Sequence, residues 1–261
     1  MAILEMTKRG AVADLVMNAP ARLNALSDEM LESLQSTLDH IANDPETRVV
    51  TLSGTGKAFC AGHDLSEMTD KRQAEDGGAA AFKDLFDRCA SVMARIQSMP
   101  QPVIAQVHGL ATAAGCQLVA TCDLAVAADD ARFGVNGVNI GLFCSTPMVA
   151  LSRNIARKQA FELLTTGEFV DAPRAVELGL INRTVPPQDL GSETAALADK
   201  IAGKLGAAVR IGKQAFYAQI QMSTADAYDY AGNVMVQNMG FKDTKEGIAA
   251  FLEKRNPDWT Q

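Results

Sequence analysis

Up to about residue 186, short apolar runs alternate with longer amphipathic segments. The runs at residues 3–6 and 11–17 flank Lys8-Arg9-Gly10, and this pattern predicts a β-hairpin. Three later apolar runs predict buried strands at residues 49–53, 102–107 and 124–127. Because strands alternate with helical segments, the pattern predicts an α/β architecture with largely parallel strand pairing.

Amphipathic segments predict helices between these strands and through the end of the chain. Ser27 is a suitable N-cap for a helix that continues to about Ala42. A charged segment rich in Gly and Ala, residues 70–81, predicts a mobile loop before a helix over 80–97. The apolar positions of the last helices predict that these helices pack on the protein's own core or on a neighbouring subunit. These helices are predicted at 189–203, 206–219, 224–238 and 244–254.

Two segments that follow predicted strands are crowded with Gly and Ala. They are Lys57-Ala-Phe-Cys-Ala-Gly-His-Asp-Leu65 and His108-Gly-Leu-Ala-Thr-Ala-Ala-Gly-Cys-Gln117. Small side chains allow a ligand to approach the backbone closely, and N–H groups at a turn or a helix start carry partial positive charge. Two such turns side by side would form an oxyanion hole, although Ala/Gly-rich turns after strands are also common packing devices.

An ordered set of motifs extends over nearly the whole chain. The set comprises 20–26 (PARLNAL), 59–65 (FCAGHDL), 102–109 (PVIAQVHG), 122–124 (CDL), 133–134 (FG), 163–167 (LLTTG), 172–180 and 251–255 (FLEKR). In this order and at these distances, the chain resembles the crotonase (enoyl-CoA hydratase/isomerase) superfamily. The resemblance implies an α/β fold, a crotonase/ClpP-like spiral of ββα units in residues 1–195. A C-terminal helical trimerisation region would follow in residues 196–261.

The resemblance also implies roles for individual residues. The backbone N–H groups of His63 and Ala114 correspond to the oxyanion donors that hold the carbonyl of an acyl-coenzyme A thioester. Lys254 would reach the coenzyme A nucleotide in a neighbouring subunit of a homotrimer or a dimer of trimers. Coenzyme A is implied only as part of the substrate, with no other cofactor and no metal. The implied substrate-binding positions are Arg22, Leu23, Ala25, Ala61, His63, Leu65, Ala114, Cys144 and Lys254.

Two positions depart from the family pattern. A hydratase of this family places two glutamates on either side of a water, but Gln117 and Gly137 occupy those positions here. An amide can hold a water without taking its proton at neutral pH, and glycine has no side chain. Each missing acid–base group is worth roughly 10²–10⁴ in rate, so ordinary hydration should be very slow.

Other side chains in these motifs are candidates for the missing chemistry. The unperturbed pKa of a histidine, ~6.5, would suit proton transfer by His63, with a side chain that points towards coenzyme A or solvent as the alternative. Asp64 is expected to fix its turn through side chain-to-backbone hydrogen bonds. Cys144 is expected to line the acyl pocket, with a nucleophilic role as the alternative. Asn136 and Asn139 could orient a water or a polar acyl group, but helix capping or turn formation explains them equally well.

Composition and charge restrict the classes of partner. The 261 residues carry a net charge of −7 without a basic run longer than two residues, which argues against nucleic acid as a general partner. No apolar run approaches about 18 residues, so no membrane span is predicted. Five cysteines without CxxC spacing and three dispersed histidines predict reduced thiols and no zinc site. The N-terminal sequence lacks the features of a signal or transit peptide, which predicts a cytoplasmic protein.

Two kinds of function follow from the motifs. The first is an acyl-CoA enzyme that stabilises a thioester enolate or oxyanion, acting by hydration with unusual acid–base groups, isomerisation, decarboxylation or thioester hydrolysis. Decarboxylation needs no base, because the loss of CO₂ itself generates the enolate. The second is a non-catalytic acyl-CoA-binding regulatory oligomer. The enzyme is the favoured hypothesis, since both oxyanion turns are intact in the sequence.

Overall fold

The computed structural model describes residues 2–260, whose strands form two sheets. The strands are β1 (Leu4–Arg9), β2 (Val12–Met17), β3 (Val49–Gly54), β4 (Ala58–Cys60), β5 (Val103–Val107), β6 (Leu110–Thr112), β7 (Leu124–Ala128), β8 (Arg132–Gly134), β9 (Phe169–Asp171) and β10 (Arg183–Val185). The α-helices are α1 (Asp28–Ala42), α2 (Leu65–Lys71), α3 (Ala79–Ser98), α4 (Ala114–Thr121), α5 (Pro147–Asn154), α6 (Arg157–Thr166), α7 (Ala172–Leu178), α8 (Leu190–Ala202), α9 (Gly206–Gln219), α10 (Thr224–Met239) and α11 (Lys242–Leu252). No described helix is both long and apolar enough to cross a membrane.

The larger sheet contains the strands that the apolar runs predict. Its order is β1-β2-β3-β5-β7-β10, with an antiparallel β1–β2 hairpin and parallel pairing between the other neighbours. Strands β3, β5 and β7 are almost wholly buried, as expected for parallel strands that are covered on both faces. The predicted hairpin and the predicted parallel pairing are both confirmed.

The smaller sheet consists of short strands that the pattern does not predict. Its order is β4-β6-β8-β9, and β4, β6 and β8 run parallel to one another. Each of these strands follows a strand of the larger sheet, so the chain repeats a two-strand unit three times. The second Gly/Ala-rich segment contains strand β6 before helix α4 begins. A Cβ on Gly109 would lie 2.1 Å from the Lys57 carbonyl oxygen, so the crossing between the sheets requires glycine there.

The helices cover the sheets with apolar faces. The N-cap at Ser27 is confirmed, because its Oγ accepts a hydrogen bond from the Met30 N–H at 3.2 Å. The prediction of a loop over 70–81 is wrong at its start, where α2 continues to Lys71. The side chain of Asp64 explains this helix, since its Oδ1 caps the first turn. The predicted helices of the C-terminal tail are confirmed to within two residues at each end.

A buried polar network fixes the tail to the sheets. The Lys213 Nζ donates to the carbonyls of Ile96 and Gln101 at 2.7 and 2.8 Å and to Asp123 Oδ2 at 2.7 Å. The Tyr217 hydroxyl donates to the other oxygen of the same carboxylate at 2.9 Å. Helix α9 is therefore attached to the end of α3 and the start of β7 by two of its side chains.

Candidate active site

The site lies where the parallel strands β4, β6 and β8 end. Because these strands are neighbours in one sheet, the three segments that follow them meet at the same edge. Two of the segments are the Gly/Ala-rich turns that stand out in the sequence. Ligands of α/β proteins commonly bind at the carboxyl ends of parallel strands.

The first turn, residues 61–64, is held by the segment that precedes α1. The Leu26 N–H donates to the Gly62 carbonyl at 2.7 Å, and the Ala61 N–H donates to the Leu23 carbonyl at 3.0 Å. Gly62 has a φ of +90°, a left-handed conformation that favours glycine. These contacts fix the peptide that carries the His63 N–H, through its own carbonyl, and the backbone just before it.

Asp64 has the structural role that its sequence position predicts. Its Oδ1 accepts hydrogen bonds from the N–H groups of Ser66 at 2.9 Å and Glu67 at 3.1 Å. Its other oxygen forms an ion pair with Arg22. The carboxylate is therefore committed to capping α2 and to binding Arg22, and it does not line the cavity described below.

The second turn places the start of α4 against the first. Ala113 adopts a φ of +49°, and its N–H donates to the Gly134 carbonyl at 2.9 Å. Helix α4 begins at Ala114, and the first N–H groups of an α-helix have no partner within the helix. A Cβ on Gly115 would lie 2.1 Å from the Cys60 carbonyl oxygen, so only glycine allows the two backbones to approach this closely.

The two turns are in van der Waals contact. A Cβ built on Gly62 would lie 3.2 Å from the Ala114 nitrogen and 3.0 Å from the Ala113 Cβ. Within residues 2–260, neither the His63 N–H nor the Ala114 N–H donates to a backbone oxygen. Two adjacent donors without backbone partners therefore lie on neighbouring turns, as the sequence predicts.

A cavity of about 330 Å³ opens beside these donors. Its wall is largely apolar and includes Met68, Phe86 and Phe143, with polar groups from Thr112 and Asn136. No Lys, Arg, Asp or Glu belongs to the described residues that line it. A mostly apolar cleft with a few convergent polar groups is typical of a small-molecule site.

The structure brings most of the predicted site residues together. Leu23 and Ala25 lie behind the first turn, and Arg22 forms ion pairs with Asp64 and Glu67. Lys254 follows α11 in the tail and does not line the cavity. The predicted residues that do line it are Ala61, His63, Leu65, Ala114, Gly137 and Cys144.

Gln117 lies one helical turn after Ala114 and is 5% exposed. Its Oε1 atom is buried without a hydrogen-bond partner among the described residues. The side chain does not line the cavity. A buried unpaired amide oxygen is unfavourable in the absence of ligand, and such groups concentrate at functional sites.

Gly137 is enclosed by the segment that follows it. A Cβ on this residue would lie 2.3 Å from the Leu142 carbonyl oxygen and 2.8 Å from the Cys144 Sγ. The Leu142 N–H also donates to the Gly137 carbonyl at 2.9 Å. The backbone therefore excludes any side chain, including a glutamate, at this position.

The His63 imidazole is packed into the wall of the cavity. Its Nδ1 lies 3.4 Å from the Leu26 carbonyl oxygen, and its ring meets the edge of Phe86 at a centroid distance of 5.6 Å. Its Nε2 is buried without a partner among the described residues. Burial lowers the pKa of His63 from its ordinary value of 6.5, because it disfavours the charged ring.

All five cysteines are free and buried. Burial raises the pKa of Cys144 and raises the pKa of Cys60 and Cys116 to about 12. The neutral thiols therefore act as packing groups, since the thiolate is the nucleophilic form. Within the described part of the chain, no group of three His, Cys, Asp or Glu side chains is arranged to hold a metal ion.

Sequence reasoning does not predict several of the cavity residues, among them Thr112, Met68 and Phe86. Thr112 lies in the unpredicted strand β6, and its Oγ1 donates to Asn136 Oδ1 at 2.6 Å. Met68 and Phe86 come from α2 and α3, which contribute one wall. Only the N-cap sequence at Asp64 gives a local signal for α2. The contact between Thr112 and Asn136 joins residues 24 positions apart and has no local signal.

Comparison with known proteins agrees with the motifs. The family model described as enoyl-CoA hydratase/isomerase matches residues 7–261. A Xenopus laevis protein named enoyl-CoA hydratase domain-containing protein 3, mitochondrial, is 47% identical over 246 residues, covering 94% of this chain and 82% of that protein. The human protein of the same name is 45% identical over 249 residues, covering 95% of this chain and 80% of that protein.

Solved structures confirm the spiral fold. The crystal structure of a Mycobacterium smegmatis enoyl-CoA hydratase has a TM-score of 0.95 at 51% identity and covers 99% of both chains. That of human enoyl coenzyme A hydratase domain-containing protein 3 has a TM-score of 0.94 at 43% identity, covering 98% of this chain and 100% of that one. This chain belongs to the enoyl-CoA hydratase/isomerase family and has the crotonase fold.

Proposed function

We propose that this protein binds an acyl-CoA and polarises its thioester carbonyl with the backbone N–H groups of His63 and Ala114. The observation that carries the proposal is the contact between the two turns, whose donors have no backbone partner within residues 2–260. A carbonyl oxygen that accepts both hydrogen bonds would be stabilised as it becomes an enolate or tetrahedral oxyanion. Removing one such donor typically costs about 10²–10³ in rate, so the pair is sufficient to define an active site.

The reaction would differ from ordinary hydration because the site lacks the two glutamates that a hydratase of this family uses. Gln117 keeps an amide where the first carboxylate is expected, and the backbone around Gly137 excludes the second. The enzyme would therefore be hydratase/isomerase-like in binding and in oxyanion stabilisation, with different acid–base chemistry.

His63 is the side chain that we propose for proton transfer. Donation from its Nδ1–H to the Leu26 carbonyl leaves Nε2 as the acceptor, and burial keeps the ring neutral at pH 7. A neutral imidazole next to the thioester site can take a proton from the α-carbon. The activity should therefore be constant near neutral pH and fall as the pH drops through a pKa below 6.5.

The remaining predicted residues concern coenzyme A and assembly. We propose that Arg22, Leu23, Ala25, Ala61 and Leu65 border the path of the coenzyme A moiety next to the first turn. In this proposal, residues 196–261 form the oligomerisation region of a trimer or a dimer of trimers. Lys254, remote from the cavity of its own chain, would then reach the nucleotide of a neighbouring subunit. A cytoplasmic location stays a prediction, because the relatives described above are named mitochondrial.

Infrared difference spectroscopy on a bound acyl-CoA tests the donor pair directly. With crotonyl-CoA labelled with ¹³C at the thioester carbonyl, the carbonyl band should move to lower frequency on binding, because two hydrogen bonds weaken the C=O bond. A bound ester with an unshifted carbonyl band would overturn the proposed donor pair.

A panel of acyl-CoA esters, followed by mass spectrometry, tests for catalysis. It should include enoyl, malonyl-type, branched and aromatic esters, and turnover of at least one is expected. His63→Gln should lower kcat by about 10²–10⁴ and leave affinity within a few-fold, since the variant keeps the backbone N–H. Tight binding without turnover of any ester would instead favour the non-catalytic regulatory oligomer.

Gln117→Glu tests how much of the hydratase geometry survives. If the side chain is placed as in a hydratase, a carboxylate should raise crotonyl-CoA hydration by about 10² or more. Gln117→Met is the matched control, since it keeps the approximate volume without a titratable group. Equal rates for the two variants would show that this position cannot deliver a proton.

A further inference from the structure

A second cavity, of about 370 Å³, lies between the core and the start of the tail. Arg48 and Gln101, just before β3 and β5, form its core side, and Gly206, Ala207 and Arg210 of α9 form its tail side. It shares no lining residue with the cavity of the candidate active site. A ligand in this second cavity would therefore be separate from the proposed acyl-CoA.

Two arginines border the second cavity without a carboxylate partner. Within residues 2–260, neither Arg48 nor Arg210 forms an ion pair, and no Asp or Glu belongs to the described lining. The Arg48 Nε would lie 3.5 Å from a Cβ on Gly206, and Arg210 follows Gly206 by one helical turn on the same face of α9. Both side chains therefore lie beside the first turn of α9.

The first turn of α9 adds donors to the same place. Within residues 2–260, the N–H groups of Gly206 and Ala207 donate to no backbone oxygen, and no side chain caps the helix. The N-terminus of a helix carries partial positive charge, so a guanidinium beside it is unfavourable unless an anion accompanies them. Arg48 Nη1 donates to the Ala202 carbonyl at 3.2 Å, which leaves its other N–H groups for such an anion.

Gln101 contributes a buried acceptor of fixed orientation. Its side chain belongs to a residue that is 3% exposed, and its Nε2 donates to the carbonyls of Ile41 at 2.8 Å and of Asp44 and Thr47 at 3.2 Å. Its Oε1 is buried without a hydrogen-bond partner among the described residues. Turning the amide over would set this oxygen against three carbonyls, so Oε1 can be satisfied only by a donor from outside the chain.

These groups make two demands on one ligand. Two guanidinium groups and two helix N–H groups fit a doubly charged anion with several oxygens, and phosphate is the common group of this kind. The unpaired Gln101 oxygen requires a hydrogen-bond donor on the same molecule. A cationic donor would be repelled by the arginines, whereas a neutral hydroxyl would not.

We propose that the second cavity binds a phosphate monoester that also carries a hydroxyl group. The phosphate would contact Arg48, Arg210 and the first turn of α9, and the hydroxyl would donate to Gln101 Oε1. Such a ligand would also join the core to the tail, because it contacts both sides of the cavity. The inference is independent of acyl-CoA binding and stands or falls by its own test.

Calorimetric titration with glycerol 3-phosphate and n-propyl phosphate, esters with equal carbon chains, tests the inference. The unmodified protein should bind glycerol 3-phosphate about three- to tenfold more tightly, as expected for one net hydrogen bond. Arg210→Gln, a change at an exposed position, should weaken the binding of both esters about tenfold. Arg157→Gln on α6 is the matched control, since it removes the same charge outside this cavity and should leave both affinities within about twofold.

Hydrogen exchange locates the bound ester. Amide exchange in the first turn of α9 should slow when glycerol 3-phosphate is present, because a bound ligand stabilises the structure that holds it. The protection should be absent in Arg210→Gln at the same ester concentration and present in Arg157→Gln.

Each remaining outcome would overturn a stated part of the inference. If neither ester binds, or if Arg157→Gln weakens binding as much as Arg210→Gln, the site is not in this cavity. Equal affinities for the two esters would overturn the role of Gln101 and the hydroxyl. Tighter binding of glycerate than of glycerol 3-phosphate would overturn the assignment of a phosphate.

Discussion

The helices up to α8 bury most of their apolar side chains, whereas the last three helices leave many of theirs exposed. In α1, Leu34 and Leu38 are 0% and 2% exposed, but Tyr228 in α10 and Phe251 in α11 are 78% and 82% exposed. Helices α9 to α11 bury only Lys213, Asp243 and Ala250 in this chain. Exposed apolar faces of this size indicate an interaction surface. The comparison shows a core that is buried within one chain and a tail with an uncovered apolar face, which the proposed oligomer would cover.

The two regions are also held together in different ways. The core has an extensive apolar interior, while the tail is attached through the Lys213–Asp123 ion pair. The Lys213 side chain is 5% exposed, and burial lowers its pKa although Asp123 opposes the shift. Substitutions in the core should therefore change the candidate site, and substitutions that remove the Lys213–Asp123 ion pair should loosen the tail.

The largest effect is expected from Lys213→Ala. This change leaves the largely enclosed Asp123 carboxylate without its cation, and removing one partner of a buried ion pair typically costs about 3–5 kcal/mol in the free energy of unfolding. Urea unfolding measures this loss, and hydrogen exchange should show α9 opening first. Lys245→Ala, an exposed lysine in the same tail, should change the free energy by less than about 0.5 kcal/mol. Equal effects of the two changes would contradict the idea of a local attachment.

Phe251→Ala tests whether the exposed face of the tail is an interface. If a neighbouring subunit covers this ring, the association free energy should weaken by about 1.5–3 kcal/mol per contact. Analytical ultracentrifugation over a range of concentrations measures the shift towards smaller species. Met6→Ala removes an isolated exposed side chain from β1 and is expected to leave the assembly unchanged. A protein that is monomeric before any substitution would contradict the proposed trimer.

Gly115→Ala tests the close contact between the two turns in the core. The added methyl would meet the Cys60 carbonyl, and such overpacking typically costs 1–3 kcal/mol. The loss in acyl-CoA binding free energy should exceed the loss in the free energy of unfolding. The added methyl would push apart the two turns that carry the proposed donors. Gly212→Ala in α9 is the control, since a methyl there meets no atom within 4 Å. Unchanged acyl-CoA affinity in Gly115→Ala would count against the donor pair.

The smallest effect is expected from Ser27→Ala. Losing this N-cap of α1 should cost about 1 kcal/mol in the free energy of unfolding, with no change in oligomeric state. Thermal unfolding detects the change. Ser33→Ala, in the middle of the same helix, should be close to neutral and separates the cap from a general effect of removing a serine.

The sequence predicts the larger sheet and the tail well because their signals are local and long. Strand β3 is a run of apolar residues, and α9 has a helical pattern over its whole length. Strands β4, β6 and β8 have three residues each, too few for a period to emerge. Helix α2 has only seven residues in a charged segment, so the sequence pattern does not predict it, for the same reason.

The candidate site follows from sequence only in part. The Gly/Ala content of the two turns predicts close backbone approach, and the resemblance to a family supplies the roles of His63 and Ala114. Neither predicts that Thr112 reaches Asn136 or that Phe86 packs on His63. Those contacts depend on the spiral connection of distant segments, which no local pattern contains.

The enclosure of Gly137 also limits the mutational routes open to this protein. A glutamate at position 137 cannot be gained by one codon change, because the Leu142 carbonyl occupies the space that its side chain would need. Residues 138–144 would have to be rebuilt first, and the intermediates would lose the present cavity wall before gaining a second acid. The shape of this loop therefore keeps position 137 free of a side chain, whatever residue occupies position 117.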